Sequence, residues 1–234
     1  MIKSSCIAAA LAATGVAASA HAAVTFTGTG FNPEGSAIVS GSAKFSVSGN
    51  TLTLVLTNTS LPRTTAQGNA LTGVAFSFAG GSPSLTMTSI AMTGGSLLWT
   101  SKTASSAVAS LTGSWTTTLG ATPLGAYGAA TTGFAGGFNG GSIALGNASP
   151  NYGIVAAGTF DGSNVSFGGA QFPFVQNSLT LTFTGVNGFN ESQINSVKLL
   201  FGTDGTGVIQ AIPSPGSLAL VGLGGLVAAR RRRN

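Results

Sequence analysis

The chain has 234 residues, 43% of them hydrophobic and only 6% charged, with 36 glycines and a formal net charge of +5. Lys3 and Arg230, Arg231, Arg232 and Arg233 account for that whole excess; between them Lys44, Arg63, Lys102 and Lys198 balance Glu34, Asp161, Glu191 and Asp204. A neutral body lacks the basic face a nucleic-acid partner needs, and the single cysteine, Cys6, excludes a disulfide framework.

Residues 1–22 read as a signal peptide. Lys3 supplies a positive start, Ile7 to Ala18 an apolar run, and Ala20-His21-Ala22 a small-x-small end, which predicts cleavage by signal peptidase between Ala22 and Ala23. The run is too short for an uncleaved anchor. Cys6 precedes it rather than following it, which argues against a lipoprotein. Cleavage removes the only Cys and the only His (His21), so the remaining chain carries neither thiol nor imidazole.

Residues 23–211 are long enough to bury a core as one domain. Leu52, Leu54 and Leu56 alternate with Thr51, Thr53 and Thr57; Leu179, Leu181 and Phe183 alternate with Thr180, Thr182 and Thr184. Val74, Phe76 and Phe78 share one face against Gly73, Ala75 and Ser77, and Val197, Leu199 and Phe201 follow suit. This period of two, rich in Thr, Val and Phe, predicts half-buried strands. Gly49-Asn50, Gly80-Gly81, Gly94-Gly95, Gly168-Gly169 and Asp204-Gly205 mark turns. No interior segment has a helical period. The expected fold is all-β, with about nine to eleven mostly antiparallel strands in a two-sheet sandwich or jelly roll. The likeness of the stretches starting at Asn50 and Asn177 reads as convergent strand composition, because nothing around them repeats. No solenoid period is present.

Between Ala121 and Gly153, glycine pairs surround Tyr127, Phe134, Phe138 and Tyr152. These four are the candidate ligand aromatics, an exposed platform able to stack on the apolar faces of sugar rings. The competing expectation, given more weight, is that long loops pin them into the core, and Trp99 and Trp115 are read the same way.

Reactive chemistry is sparse. Ser-His-Asp catalysis lacks its base once His21 leaves. Zinc and copper lack their usual ligands. Carboxylate-pair hydrolysis would need two of Glu34, Asp161, Glu191 and Asp204 within about 5 to 10 Å. Asp161-Gly-Ser-Asn and Asp204-Gly-Thr-Gly carry one acid each, too few for a calcium loop. Gly202-Thr-Asp-Gly-Thr-Gly has no strand-loop-helix setting for a phosphate. The expectation is a protein with no enzymatic activity, no cofactor and no metal.

Residues 212–234 have a different order. Pro213-Ser214-Pro215-Gly216-Ser217 is helix-hostile, residues 217–229 are small and apolar, and Arg230 to Arg233 form a terminal cationic block. An apolar segment with arginines behind it reads as a membrane address, the positive charges staying on the cytoplasmic side as a stop. Twelve to fourteen helical residues reach roughly 20 Å, short of the about 20 residues a bilayer needs. A transient anchor is therefore expected. The alternative, a core helix with a basic tail, would gain nothing from four adjacent like charges.

That tripartite end resembles the PEP-CTERM sorting signal, with motif 213–215 and Ser214 where that family usually has Glu. The resemblance covers the last tenth of the chain. It implies export by a Gram-negative cell, transient residence in the inner membrane, processing by an exosortase-type membrane protease, and delivery to the cell surface or extracellular matrix. A second resemblance joins Ala148-Ser-Pro-Asn-Tyr-Gly-Ile, Phe172-Pro-Phe-Val-Gln-Asn-Ser-Leu-Thr-Leu-Thr-Phe and Ile194-Asn-Ser-Val-Lys-Leu-Leu-Phe-Gly-Thr to a body found in some exosortase-dependent surface proteins. It implies a β-rich exported domain and supplies no catalytic residue. The functional expectation is a structural or adhesive component of a biofilm or exopolysaccharide. The alternative is a carbohydrate-binding module acting on exopolysaccharide, which would present an exposed coplanar aromatic pair. A glycoside hydrolase or lyase would need facing carboxylates, and an ice-binding surface a flat, regular Thr array.

Overall fold

Alternating apolar and hydroxyl side chains build strands, and among the described residues the computed structural model holds fifteen of them: β1 (Val24–Asn32), β2 (Ala37–Ser48), β3 (Thr51–Asn58), β4 (Leu71–Phe78), β5 (Thr86–Met92), β6 (Leu97–Trp99), β7 (Ser105–Ser106), β8 (Trp115–Leu119), β9 (Tyr127–Thr131), β10 (Ile154–Val155), β11 (Phe174–Gln176), β12 (Ser178–Thr184), β13 (Ile194–Phe201), β14 (Gly207–Gln210) and β15 (Ile212–Pro213). The structure describes residues 23–108, 110–119, 124–131, 151–162, 166–167, 171–203 and 205–214. The signal peptide with Ala20 and Ala22, the aromatics Phe134 and Phe138, Asp204, Pro215, the apolar segment and Arg230 to Arg233 lie outside the described residues.

The strands form a two-sheet sandwich. One sheet runs β15-β1-β2-β3-β12-β5; the other runs β14-β13-β4-β10-β11-β6-β7, with β9 and β8 branching from β4. Every strand pair is antiparallel except β10 with β11. The count exceeds the nine to eleven strands expected because β6, β7, β10, β11 and β15 are two or three residues long, too short to show a period.

The two similar stretches are neighbours. β3 and β12 pair in register, Leu54 opposite Leu181, Leu52 opposite Phe183 and Thr53 opposite Thr182. Their leucines point into the core at 0% exposure. Their likeness follows from sharing one environment at the middle of one sheet. On the outer face, register lines up Ser46, Thr53, Thr182 and Ser89 in one row and Ser48, Thr51, Thr184 and Thr86 in another. Lys44 is the one charged side chain along the outward positions of β1, β2, β3 and β12. Adjacent strands rotate by about 20 to 25° relative to one another, so this hydroxyl field is twisted rather than flat.

The second sheet differs from the half-buried strands expected, because it is covered on both faces. Inward, Val74, Phe76 and Phe78 join the main core. Outward, Ala75, Ala130 and Leu200 pack beneath Leu124 and Val208, and Phe160, Phe167 and Phe174 pack with Val155, Trp99 and Phe172. A register shift between β4 and β13 leaves Thr72 opposite no partner, and its hydroxyl donates to the Leu200 and Gly202 carbonyls at 3.0 and 2.7 Å. The shift puts Leu71 and Val74 on the same face despite their odd spacing.

The lateral sides are closed by different means. On one, the chain steps from β14 to β15 through buried Ala211, whose N–H donates to the Val197 carbonyl at 2.9 Å. Ile209 lies against Gly28 and Gly30 of β1, where an added Cβ would come within 3.0 and 2.7 Å of it. On the other, the loop before β8 drops Leu111 into the core and donates its N–H to Ile90 of β5 at 3.0 Å.

Candidate functional site

One edge of β4 carries two partners. β10 takes it at Leu71 and β9 takes it from Gly73 to Phe76. Gly73 is required there: a Cβ would stand 2.9 Å from both the Ala130 Cβ and the Leu200 Cδ1. The second sheet therefore forks, one branch continuing through β9 to β8 and the other through β10, β11, β6 and β7.

Tyr152 stands at this fork. Its backbone is left-handed, with φ at +64°, a conformation that costs a bulky residue of order 1 to 3 kcal/mol. Hydrogen bonds hold it from both branches. Its N–H donates to the Pro173 carbonyl at 2.6 Å, and its own carbonyl accepts from the Trp115 indole Nε1 at 3.2 Å. The preceding Asn151 Nδ2 donates to the Phe172 carbonyl at 3.1 Å. These bonds tie together two of the stretches that carry the second family resemblance, the tyrosine-glycine turn and the segment from Phe172.

Beside Tyr152 lies a cavity of about 280 Å³. Its apolar walls are Leu98, Val108, Leu111 and the Tyr152 ring; Ser110, Thr112, Gly113 and Ser114 complete it. Ser110 and Thr112 are exposed and their hydroxyls lie 2.7 Å apart. The Thr112 N–H also donates to the Ser110 hydroxyl at 3.2 Å, a short side-chain turn. Ser114 Oγ donates to the Leu111 carbonyl at 2.5 Å, and Gly113 takes φ of +84°. Among the described residues the lining holds no carboxylate, ammonium or guanidinium.

The other sequence-predicted aromatics do not gather here. Tyr127 opens β9 rather than lying in a loop, and is 5% exposed. Its ring stacks on Phe76 at 5.5 Å and meets Phe78 edge-on at 5.7 Å. Its hydroxyl donates to the Pro83 carbonyl. Burial raises the phenol pKa above its ordinary 10.0, partly offset by a hydrogen bond with Ser82. A ring so enclosed cannot stack on a ligand. Trp115 is buried, while Trp99 is half-buried, tilted over Phe160 at 4.7 Å, its indole N–H donating to Gln176 Oε1 at 2.8 Å. Of the four candidates, Tyr152 alone is both described and half-exposed, with part of its side chain packed against the main core.

No family model, no curated protein and no solved structure matches this chain. The chemistry of the site is therefore read from its own residues. Sequence reasoning missed the loop from Val108 to Ser114. Its signal is the run Ser110-Leu-Thr-Gly, a buried anchor between two hydroxyls, easily taken for a linker.

Of the described carboxylates, Glu34 and Glu191 stand apart. Glu34 accepts from the Thr203 N–H, and from the Thr203 hydroxyl at 2.7 Å, beyond one end of β13. Glu191 is buried beyond the other end, in the 3₁₀ turn Glu191–Gln193. The length of β13, roughly 26 Å at about 3.3 Å per residue, separates them. Asp161 lies exposed in a turn where the Gly162 N–H donates to the Phe160 carbonyl at 2.9 Å. Among the described residues no three metal-ligating side chains cluster, and no helix is long and apolar enough to cross a membrane.

Proposed function

We propose that this chain is an exported surface or extracellular-matrix protein, sorted and trimmed through its PEP-CTERM-like end, with a structural or adhesive role in biofilm or exopolysaccharide. The observation that carries the reading is where the body releases its ends. β15 pairs with the start of β1, Pro213 opposite Phe26 and Ile212 opposite Thr27, and the Ser214 N–H donates to the Thr25 carbonyl at 2.8 Å. Pro213, where the proposed motif begins, is a strand residue. Val24 opens β1 two residues after the expected signal-peptide cut. Both segments read as membrane-seeking leave one pole of the sandwich, the arrangement needed if both meet one bilayer in turn. The body adds a hydroxyl-covered, nearly uncharged sheet. The reading includes no catalytic step.

The test is the intact mass of protein recovered outside the cell. It is expected to start at Ala23 and to lack Arg230 to Arg233. Replacing those four arginines by serine is expected to leave transport across the inner membrane intact and to stop delivery to the surface. Recovered material that starts at Met1, or unaltered delivery of the serine variant, overturns the reading.

A further inference from the structure

We infer that the cavity at the fork is a subsite for one neutral sugar ring of a glycan chain. The inference does not rest on the sorting proposal, because the cavity is built wholly from the body.

Three features converge. The volume, about 280 Å³, lies at the small end of ligand sites, the scale of a single ring rather than an extended molecule. Among the described residues the lining carries no ionised group, so a charged ligand would lose hydration without a counter-charge from them, whereas a neutral one needs none. The chemistry is two-sided. Leu98, Val108, Leu111 and Tyr152 offer apolar contact to the C–H face of a pyranose, and the Ser110–Thr112 hydroxyl pair, with one proton bridging the two oxygens, keeps one donor and open lone pairs for its hydroxyls.

The backbone at Tyr152 adds an independent argument. Glycine or asparagine would hold φ of +64° with little strain, yet a tyrosine stands there, fixed from both branches of the sheet. Strain kept in place by surrounding bonds is a mark of functional sites. The ring, not the backbone, is the part that a smaller residue could not supply. The exposed Ser110, Thr112 and Gly113 leave the cavity open on one side, so neighbouring sugars of a chain can extend into solvent.

The experiment is a titration of the full chain with neutral hexaoses (cello-, malto-, manno- and xylohexaose) and with hexagalacturonate as the charged comparison. It is followed through the Trp115 indole N–H resonance and the amides of Ser110 to Ser114. At least one neutral hexaose is expected to shift these signals at millimolar concentration, while hexagalacturonate leaves them in place. Tyr152→Asn is expected to weaken binding about tenfold or more with a melting temperature within a few degrees of the parent, because the strain asparagine relieves at the left-handed backbone offsets the packing the ring gives up against the core. Tyr152→Phe keeps binding within about threefold, stacking being retained. A structural role alone would move stability and not this pattern. Thr112→Trp, at an exposed position, fills the mouth and is expected to abolish the shifts even if the asparagine variant fails to fold. Absence of shifts with every neutral hexaose, stronger binding of hexagalacturonate, or binding that survives either Tyr152→Asn or Thr112→Trp overturns the inference.

Discussion

Tyr127 sits where its phenol must keep its proton. Because burial raises its pKa above 10.0, the folded chain holds that proton more tightly than the unfolded one. Its contribution to stability is whole below pH 10 and is lost as pH climbs through the raised value. Tyr127→Phe is expected to cost about 1 kcal/mol at neutral pH, for the lost bond to the Pro83 carbonyl, which keeps only the Leu85 N–H. The same variant should flatten the alkaline fall in urea midpoint; an equally steep fall would show that other groups control it. Little at this scale was legible beforehand. The residues after Tyr127 are Gly128, Ala129 and Ala130, which read as a spacer because they show no alternation of size. They are small because Ala130 faces Gly73 across a gap with no room for more. The ring of Tyr152 is visible in the sequence, but its left-handed backbone leaves no trace there; it is held by bonds to Pro173 and Trp115.

Long strands announced themselves and short ones did not. β3 and β12 carry leucine on one side and threonine on the other, and their burial repeats that period residue by residue. β10 and β11 reveal themselves only through pairing, Ile154 with Leu71 and with Val175, contacts whose partners lie far along the chain. β15 is the shortest element with a clear mechanical task, sealing the start of β1. A chain ending at Ala211 is expected to lose about 1 kcal/mol relative to one ending at Ser214, for the hydrogen bond to the Thr25 carbonyl and the pairing at Phe26. Urea denaturation of the two truncations checks this, and equal midpoints would show that β15 contributes nothing to the body. The longer form should also resist association better, since it leaves less of the β1 edge open for pairing.

As a whole, the described body covers its surface with hydroxyls more than with charge. Eight side chains charged at neutral pH, four of each sign, serve residues 23–211, leaving few pairs for salt to screen. The melting temperature is therefore expected to move by no more than about 2 °C between low salt and half-molar sodium chloride, and a larger shift in a calorimetric scan would point to charge networks that matter more than their number suggests. The all-β sandwich was legible from composition and period. The double covering of the second sheet was not, because Phe160, Phe167, Phe172 and Phe174 occupy stretches without alternation and find one another only once the chain folds back. The single hydrogen bond from Ser214 to Thr25 brings the two ends of the described body side by side. A body closed in this way suits grafting: a short bridge would turn it into a ring, and a surface loop of an unrelated carrier could receive it whole with neither host nor guest having to stretch.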